Sequence, residues 1–168
     1  MLRKLKLLHT YRRRNLWALL YGSKWVAAGA IIFRADGKLL LIKHRYRGSW
    51  EYPMGMTDGA ESPIETARRE LFEEVGLQPE NLKLVGVDFF HRRTPNGNLA
   101  ITFAAQVKWA EARQLNLDPY EATDFKWVTR EEALELVEPW LHRRLSQFLE
   151  AYDADRPVYL HKGIPVTG

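Results

Sequence analysis

Residues 55–77 read GMTDGAESPIETARRELFEEVGL, and both ends of a helix are marked inside them. Ser62 is a residue that can accept from an unpaired backbone N–H, and Pro63 falls where a missing N–H costs nothing. Glu65 stands where its carboxylate bonds back to the cap, and Gly76 where a left-handed C-terminal cap is needed. The spacing predicts a helix over 63–75. Ile64, Ala67, Leu71 and Val75 recur at three- and four-residue intervals and form one apolar stripe.

Glu70, Glu73 and Glu74 fall together on another side of that helix, where like charges repel. Arg69 offsets the repulsion only in part, being beside Glu70 and one turn from Glu65 and Glu73. A carboxylate cluster of this density suits hard, oxygen-seeking cations such as Mg²⁺. The plainer alternative is a solvated acidic helix face, and the spacing decides against it. The segment resembles the Nudix box, G-x5-E-x7-R-E-U-x-E-E-x-G-U with U aliphatic. Gly55, Glu61, Arg69, Glu70, Leu71, Glu73, Glu74, Gly76 and Leu77 match every fixed position. So many constrained positions in a short window make a specific signal.

The resemblance to the Nudix hydrolase family (MutT-like) covers the box directly and residues 25–137 more loosely. It implies an α/β (α+β) Nudix fold, a mixed β-sheet sandwiched between helices. It also implies hydrolysis of a nucleoside diphosphate linked to another moiety, with Mg²⁺ or Mn²⁺ as cofactor. By resemblance Glu70, Glu73 and Glu74 are metal ligands, Gly55 lends its carbonyl, and Glu61 joins or orients the metal network. Arg69 would hold the helix carboxylates in place by an ion pair. For the general base the family allows a box glutamate, Glu73 being the choice here, or a later loop acid, with Glu121 and Asp124 ahead of the Trp127 strand. The chemistry is consistent: a pyrophosphate is polyanionic, and attack by water needs its charge neutralised and the water acidified and aligned.

Around the box the chain reads as alternating strands and turns. Val26–Phe33 and Lys38–His44 are strand-like, joined by Ala35-Asp36-Gly37. A basic loop follows, with His44, Arg45 and Arg47 as candidate phosphate contacts, and Trp50 and Tyr52 as candidates to stack on a base or sugar. Trp50-Glu51-Tyr52-Pro53 enters the box, and Met54 replaces the first of the family's paired glycines, a change expected to alter the loop backbone. Leu82–Arg92 and Leu99–Trp109 are strand candidates around Pro95-Asn96-Gly97. Phe89, Phe90, His91, Arg92 and Arg93 lie there as weaker candidates for the cleft. Leu115–Glu121 is loop-like. Phe125–Val128 reads as a strand before the capping box Thr129–Glu132, with helices to about Val137 and from Pro139 to Tyr152. The tail from Asp153 reads as an irregular extension.

Composition bounds the rest. With 168 residues, 46% of them hydrophobic, the chain can build one domain with a proper core. No cysteine is present, which excludes disulfides and thiolate metal sites and fits a cytoplasmic location. Residues 1–24 hold seven basic side chains and no acid, whereas the remainder is net −3. The formal charge of +4 therefore belongs to the N-terminal arm, and a nucleic-acid partner is not expected of the body. The expected organisation is a basic amphipathic helix at 1–24, a hydrolase domain at 25–152 and a tail at 153–168. Arg12 to Asn15 interrupt the arm's apolar run, which argues against a signal peptide. The arm is expected to pack on the body or on a second copy in a homodimer, with an anionic membrane surface or an RNA backbone as alternatives. The leading functional reading is a pyrophosphohydrolase acting on a small nucleotide derivative, such as a nucleotide sugar, ADP-ribose or a nucleoside triphosphate. The alternatives are a non-catalytic Nudix-fold nucleotide sensor and an RNA 5′-end pyrophosphohydrolase.

Overall fold

In a computed structural model, residues 24–91 and 97–166 are described. The expected N-terminal helix, Arg92 and Arg93 lie outside them. Strands β1 (Trp25–Arg34), β2 (Leu39–His44), β3 (Trp50–Glu51) and β4 (Met54–Met56) precede helix α1 (Pro63–Val75). Strands β5 (Lys83–Phe90) and β6 (Asn98–Val107), a short helix α2 (Trp109–Ala112) and strand β7 (Ala122–Val128) follow. Helices α3 (Arg130–Leu136) and α4 (Pro139–Asp153) then lead to β8 (Val158–His161) and β9 (Ile164–Pro165).

The sheet runs β3-β2-β1-β6-β5-β8-β9, with β4 on β1 and β7 on β2. It is mixed, since β1 lies parallel to β6 and β5 parallel to β8 while the other pairs are antiparallel. Strand alternation divides the apolar residues between its two faces. Ile31, Phe33, Leu39 and Leu41 meet Leu141, Leu145 and Phe148 of α4 on one side. Ala30, Ile32, Leu40 and Ile42 meet Ala67, Leu71 and Val75 of α1 on the other. A sheet buried on both faces needs central strands that are apolar throughout, which is what Ala28–Phe33 provide.

Helix α1 has the predicted bounds. Its Ser62 N–H donates to Glu65 at 2.8 Å, and the hydroxyl donates to the same oxygen at 2.6 Å. Gly76 closes the helix at φ 72°, where a side chain would be strained. The Thr129–Glu132 capping box also forms. Among the described residues no helix is long and apolar enough to cross a membrane.

One expectation is corrected, and the Met54 position is explained. The tail is not irregular: β8 adds to the open edge of β5, and Gly163 turns the chain into β9. An unpaired strand edge is satisfied best by another strand, and the partner here is supplied from far along the chain. Met54 does not take a left-handed backbone; it sits in β4 with ordinary strand conformation opposite Gly29. A Cβ at Gly29 would stand 2.2 Å from the Met54 Cβ, so the glycine that makes room lies on the neighbouring strand.

Candidate functional site

Helix α1 rests on the sheet beside β4, which sets its acidic flank against Gly55. The Glu70 carboxylate fills the space where a Cβ of residue 55 would lie, at 2.1 Å from that position, so any side chain there would push the carboxylate aside. The Glu70 carboxyl is raised to about 7, chiefly by burial, with Arg69 opposing the rise and the charges of Glu73 and Glu121 adding to it. Glu74 is 3% exposed and its pKa is raised well above the ordinary carboxylate range. Burial is the main cause, followed by repulsion from Glu70 and Glu121, with Glu51 adding to it and a backbone hydrogen bond with Met54 opposing it. One of its oxygens, Oε2, is buried without a hydrogen-bond partner. Glu73 is the most exposed of the three.

Arg69 is the hub of the cluster. Its Nε donates to Glu61 at 2.8 Å, and Nη1 donates to Glu70 at 2.7 Å and to Glu73 at 3.2 Å. Nη2 donates to the Met56 carbonyl at 3.0 Å, tying the helix to β4. Glu61 also accepts from Thr66 and from the Asp58 N–H, and with Arg69 beside it its carboxyl is held down at about 2. Among the described residues no three carboxylate or imidazole groups converge closely enough to grip a metal ion as they stand. Arg69 occupies oxygens of three of these glutamates.

The donor set nonetheless fits a hard divalent cation. Several carboxylates crowd one surface, two of them are charged only at a cost, and a buried oxygen lacks a partner.

Sequence reasoning passed over Glu51. It is 1% exposed and lies opposite Ile42, on the α1 side of the sheet. Arg47 donates to it at 2.9 Å and Ser49 at 2.7 Å. His44 stands between acids, with Nε2 3.9 Å from Glu51 and Nδ1 4.0 Å from Glu74. Burial lowers its pKa and favours the neutral ring, while Glu51 opposes this. The signal for Glu51 was a carboxylate set between Trp50 and Tyr52 in a strand entering the box.

The other predicted residues divide. Glu121 faces Glu70 and Glu74 closely enough to shift both. Asp124 pairs with Lys43 on β2, on the opposite sheet face from Glu51 and Phe125. Arg47 is engaged by Glu51 and lines a cavity together with Glu51 and Gly55. Arg45 is tied to a neighbouring loop: its Nε donates to the Pro119 carbonyl at 2.6 Å and its N–H to the Glu121 carbonyl. Trp50 turns to the α3–α4 side, flanked by Lys43 and Lys126, because its neighbour Glu51 takes the other face. Tyr52 is corrected outright: it is fully buried in the core, its hydroxyl 3.0 Å from that of Thr102. Phe90 lines the cavity, whereas Phe89 packs against His91 and His161.

The acidic cluster sits on a helix packed against a mixed sheet between helices, a fold shared with known proteins. The NUDIX domain family matches residues 23–151. A MutT-like protein of Streptomyces ambofaciens is 31% identical over 139 residues, 82% of this chain and 84% of that protein. An RNA pyrophosphohydrolase of Aeromonas hydrophila is 39% identical over 57 residues, 34% of this chain and 33% of its own length. The crystal structure of the MutT protein from Methanosarcina mazei Go1 superposes with a TM-score of 0.65 at 22% identity, covering 79% of this chain and 95% of that one. The chain belongs to the Nudix family. It is a Nudix pyrophosphohydrolase, an enzyme of pyrophosphate bonds in nucleotide derivatives.

Proposed function

We propose that this enzyme cleaves a pyrophosphate bond in a small nucleotide derivative, using a divalent cation held by Glu70, Glu73 and Glu74 with the Gly55 carbonyl. The observation that carries the reading is Glu74. A carboxylate this buried, beside like charges and with an unpartnered oxygen, is stable as an anion only opposite a cation. A bound Mg²⁺ or Mn²⁺ would neutralise the pyrophosphate oxygens and acidify a water.

The chain's own residues supply the rest. Arg69 fixes Glu61, Glu70 and Glu73 relative to β4, so the carboxylates are oriented before substrate arrives. Glu73, the most exposed member, is the group best able to take a proton from an attacking water, with Glu121 as the second candidate. Gly55 lets Glu70 approach the β4 backbone. Burial of Glu74 and Glu51 limits bulk water on the sheet side of the site.

The test is a substrate panel with Mg²⁺: ADP-ribose, nucleotide sugars, dinucleoside polyphosphates, nucleoside triphosphates and triphosphorylated RNA, with products identified by mass. One small nucleotide turned over well above the others supports the reading. Preference for the RNA would favour the activity named for the Aeromonas hydrophila relative, whose similarity is confined to about a third of this chain. Nucleotide binding without turnover of any substrate would promote the sensor.

A further inference from the structure

The β8–β9 hairpin is apolar on both faces. On one face Leu160, paired with Pro165, is fully buried with the α4 core. On the other, Tyr159, Ile164 and Val166 are 50%, 58% and 50% exposed. The register extends this second face inward across the sheet. Tyr159 pairs with Val87 and His161 with Phe89 on β5, and Ile164 pairs with His161. A hairpin solvated on one side ordinarily alternates apolar and polar residues, and apart from His161 this one does not. Helix α1 packs on the same side of the sheet, against residues of β1, β2 and β6, and leaves the hairpin end open. A contiguous apolar surface of this kind marks a docking site.

The start of the described chain points to the occupant. Trp25 turns to the α4 side, beside Trp140 and Arg144, so strand alternation puts Lys24 on the opposite side. There the Lys24 Nζ lies 5.0 Å from the centre of the Phe89 ring. Residues 1–23 therefore join β1 at the rim of the open face. In their sequence Leu2, Leu5, Leu8, Leu16, Leu19 and Leu20 fall within about 120° of arc at 3.6 residues per turn, with Arg3 and Arg14 opposite. Arg12 interrupts the arc with a side chain long enough to reach water. The reach is sufficient. From β1 to β9 is four strand spacings, about 19 Å, and residues 2–20 at helical rise measure about 28 Å. Gly22 and Ser23 supply a turn signal between the segment and β1. Strand addition by a second copy is disfavoured at the β9 edge. The Val166 N–H points inward to Tyr159, so the Pro165 nitrogen, which carries no proton, falls on the outer side.

We propose that the open face of the β5–β8–β9 end of the sheet is the docking surface for residues 2–20 of the same chain, which lay their leucines on Phe89, Tyr159, Ile164 and Val166 and turn their basic side chains to water. The chain has no cysteine, so an introduced pair reports a single contact. In the full chain, Ile164→Cys is combined in turn with Leu5→Cys, Leu8→Cys, Leu16→Cys and Leu19→Cys, and with Arg14→Cys as the control on the opposite arc. Each variant is oxidised in dilute solution, and the links are mapped by mass spectrometry. A disulfide within one chain is expected from at least one leucine position and none from Arg14. A second measurement reads the docking without cross-links. Trypsin cleavage after Arg12–Arg14 should be about tenfold faster in Ile164→Asp than in the parent, with circular dichroism confirming a folded body. The proposal is overturned if links form only between chains, if Arg14→Cys links as readily as the leucine positions, or if no link forms. Equal cleavage of parent and Ile164→Asp overturns it too. Links only between chains would give the face to a second copy, and no link together with sedimentation on phosphatidylglycerol vesicles would give the segment to a lipid surface.

Discussion

Replacing Gly55 by alanine tests the geometry of the carboxylate cluster with a single methyl group. The new Cβ would stand 2.1 Å from the Glu70 carboxylate, about 1.4 Å short of an ordinary ~3.5 Å contact. The backbone at Gly55 is not left-handed, so the substitution adds crowding without backbone strain. Glu70 cannot retreat freely, because Arg69 holds it at 2.7 Å and the helix beneath it is anchored by fully buried Leu71 and Ala67. The displacement therefore falls on the carboxylate. A misplacement of about 1 Å at a reacting centre costs roughly 100-fold in rate, and overpacking of this kind about 1–3 kcal/mol in stability. Gly55→Ala should thus remain folded by circular dichroism, lose about two orders of magnitude in kcat, and bind Mn²⁺ more weakly by calorimetry. Adding Glu70→Asp, which shortens the side chain by one methylene, should recover part of the metal affinity. A Gly55→Ala enzyme with parental turnover and metal affinity would refute both the contact and the assignment of Glu70.

Glu73→Gln should lose roughly 10²- to 10⁴-fold in turnover with an unchanged melting temperature, since the side chain is the most exposed of the cluster; parental kcat would move the base to Glu121, with Glu121→Gln as the next variant. Cation binding should be pH-linked: Glu70, raised to about 7, and Glu74, raised well above the ordinary carboxylate range, must give up protons to ligate, so Mg²⁺ affinity should climb from pH 6 to pH 8, with proton release seen by calorimetry in two buffers. The same shifts fix the sign for the metal-free protein. Its carboxyls bind more protons folded than unfolded above the ordinary carboxylate pKa, so stability should fall as pH rises through about 7, and a melting temperature that rises over this range would contradict it. Asp88→Ala leaves Arg144 as an unmatched buried charge and frees the Gly163 N–H, which should cost about 3–5 kcal/mol in denaturant unfolding.

The box helix was legible because its determinants are local. Ser62, Pro63, Glu65 and Gly76 act within a turn of where they stand, and the acidic flank follows from helical spacing alone. Strands β1 and β2 were legible for the same reason, as apolar runs across a marked turn. What escaped depends on partners distant in sequence. Glu51 and Tyr52 are adjacent, and the pairing of β3 with β2 sends Glu51 toward α1 and the acids. Tyr52 ends beside Thr102, a contact across 50 residues that no local pattern announces. The pairing of β8 with β5 was invisible because an edge strand's partner is chosen by the sheet. The glycine that makes room for Met54 lies on β1, which the sequence around the box does not reveal.

The Asp88–Arg144 pair bears on how the molecule is assembled. Asp88 accepts both from Arg144 on α4 and from the Gly163 N–H, 75 residues further along the chain. During folding, then, Asp88 gains its full set of partners only when the β8–β9 hairpin has docked. Contacts so far apart in sequence form slowly, and the elements they join tend to open together. The hairpin and the Arg144 turn of α4 should open as one cooperative unit, so amide protons of β8 should exchange in step with those around Arg144.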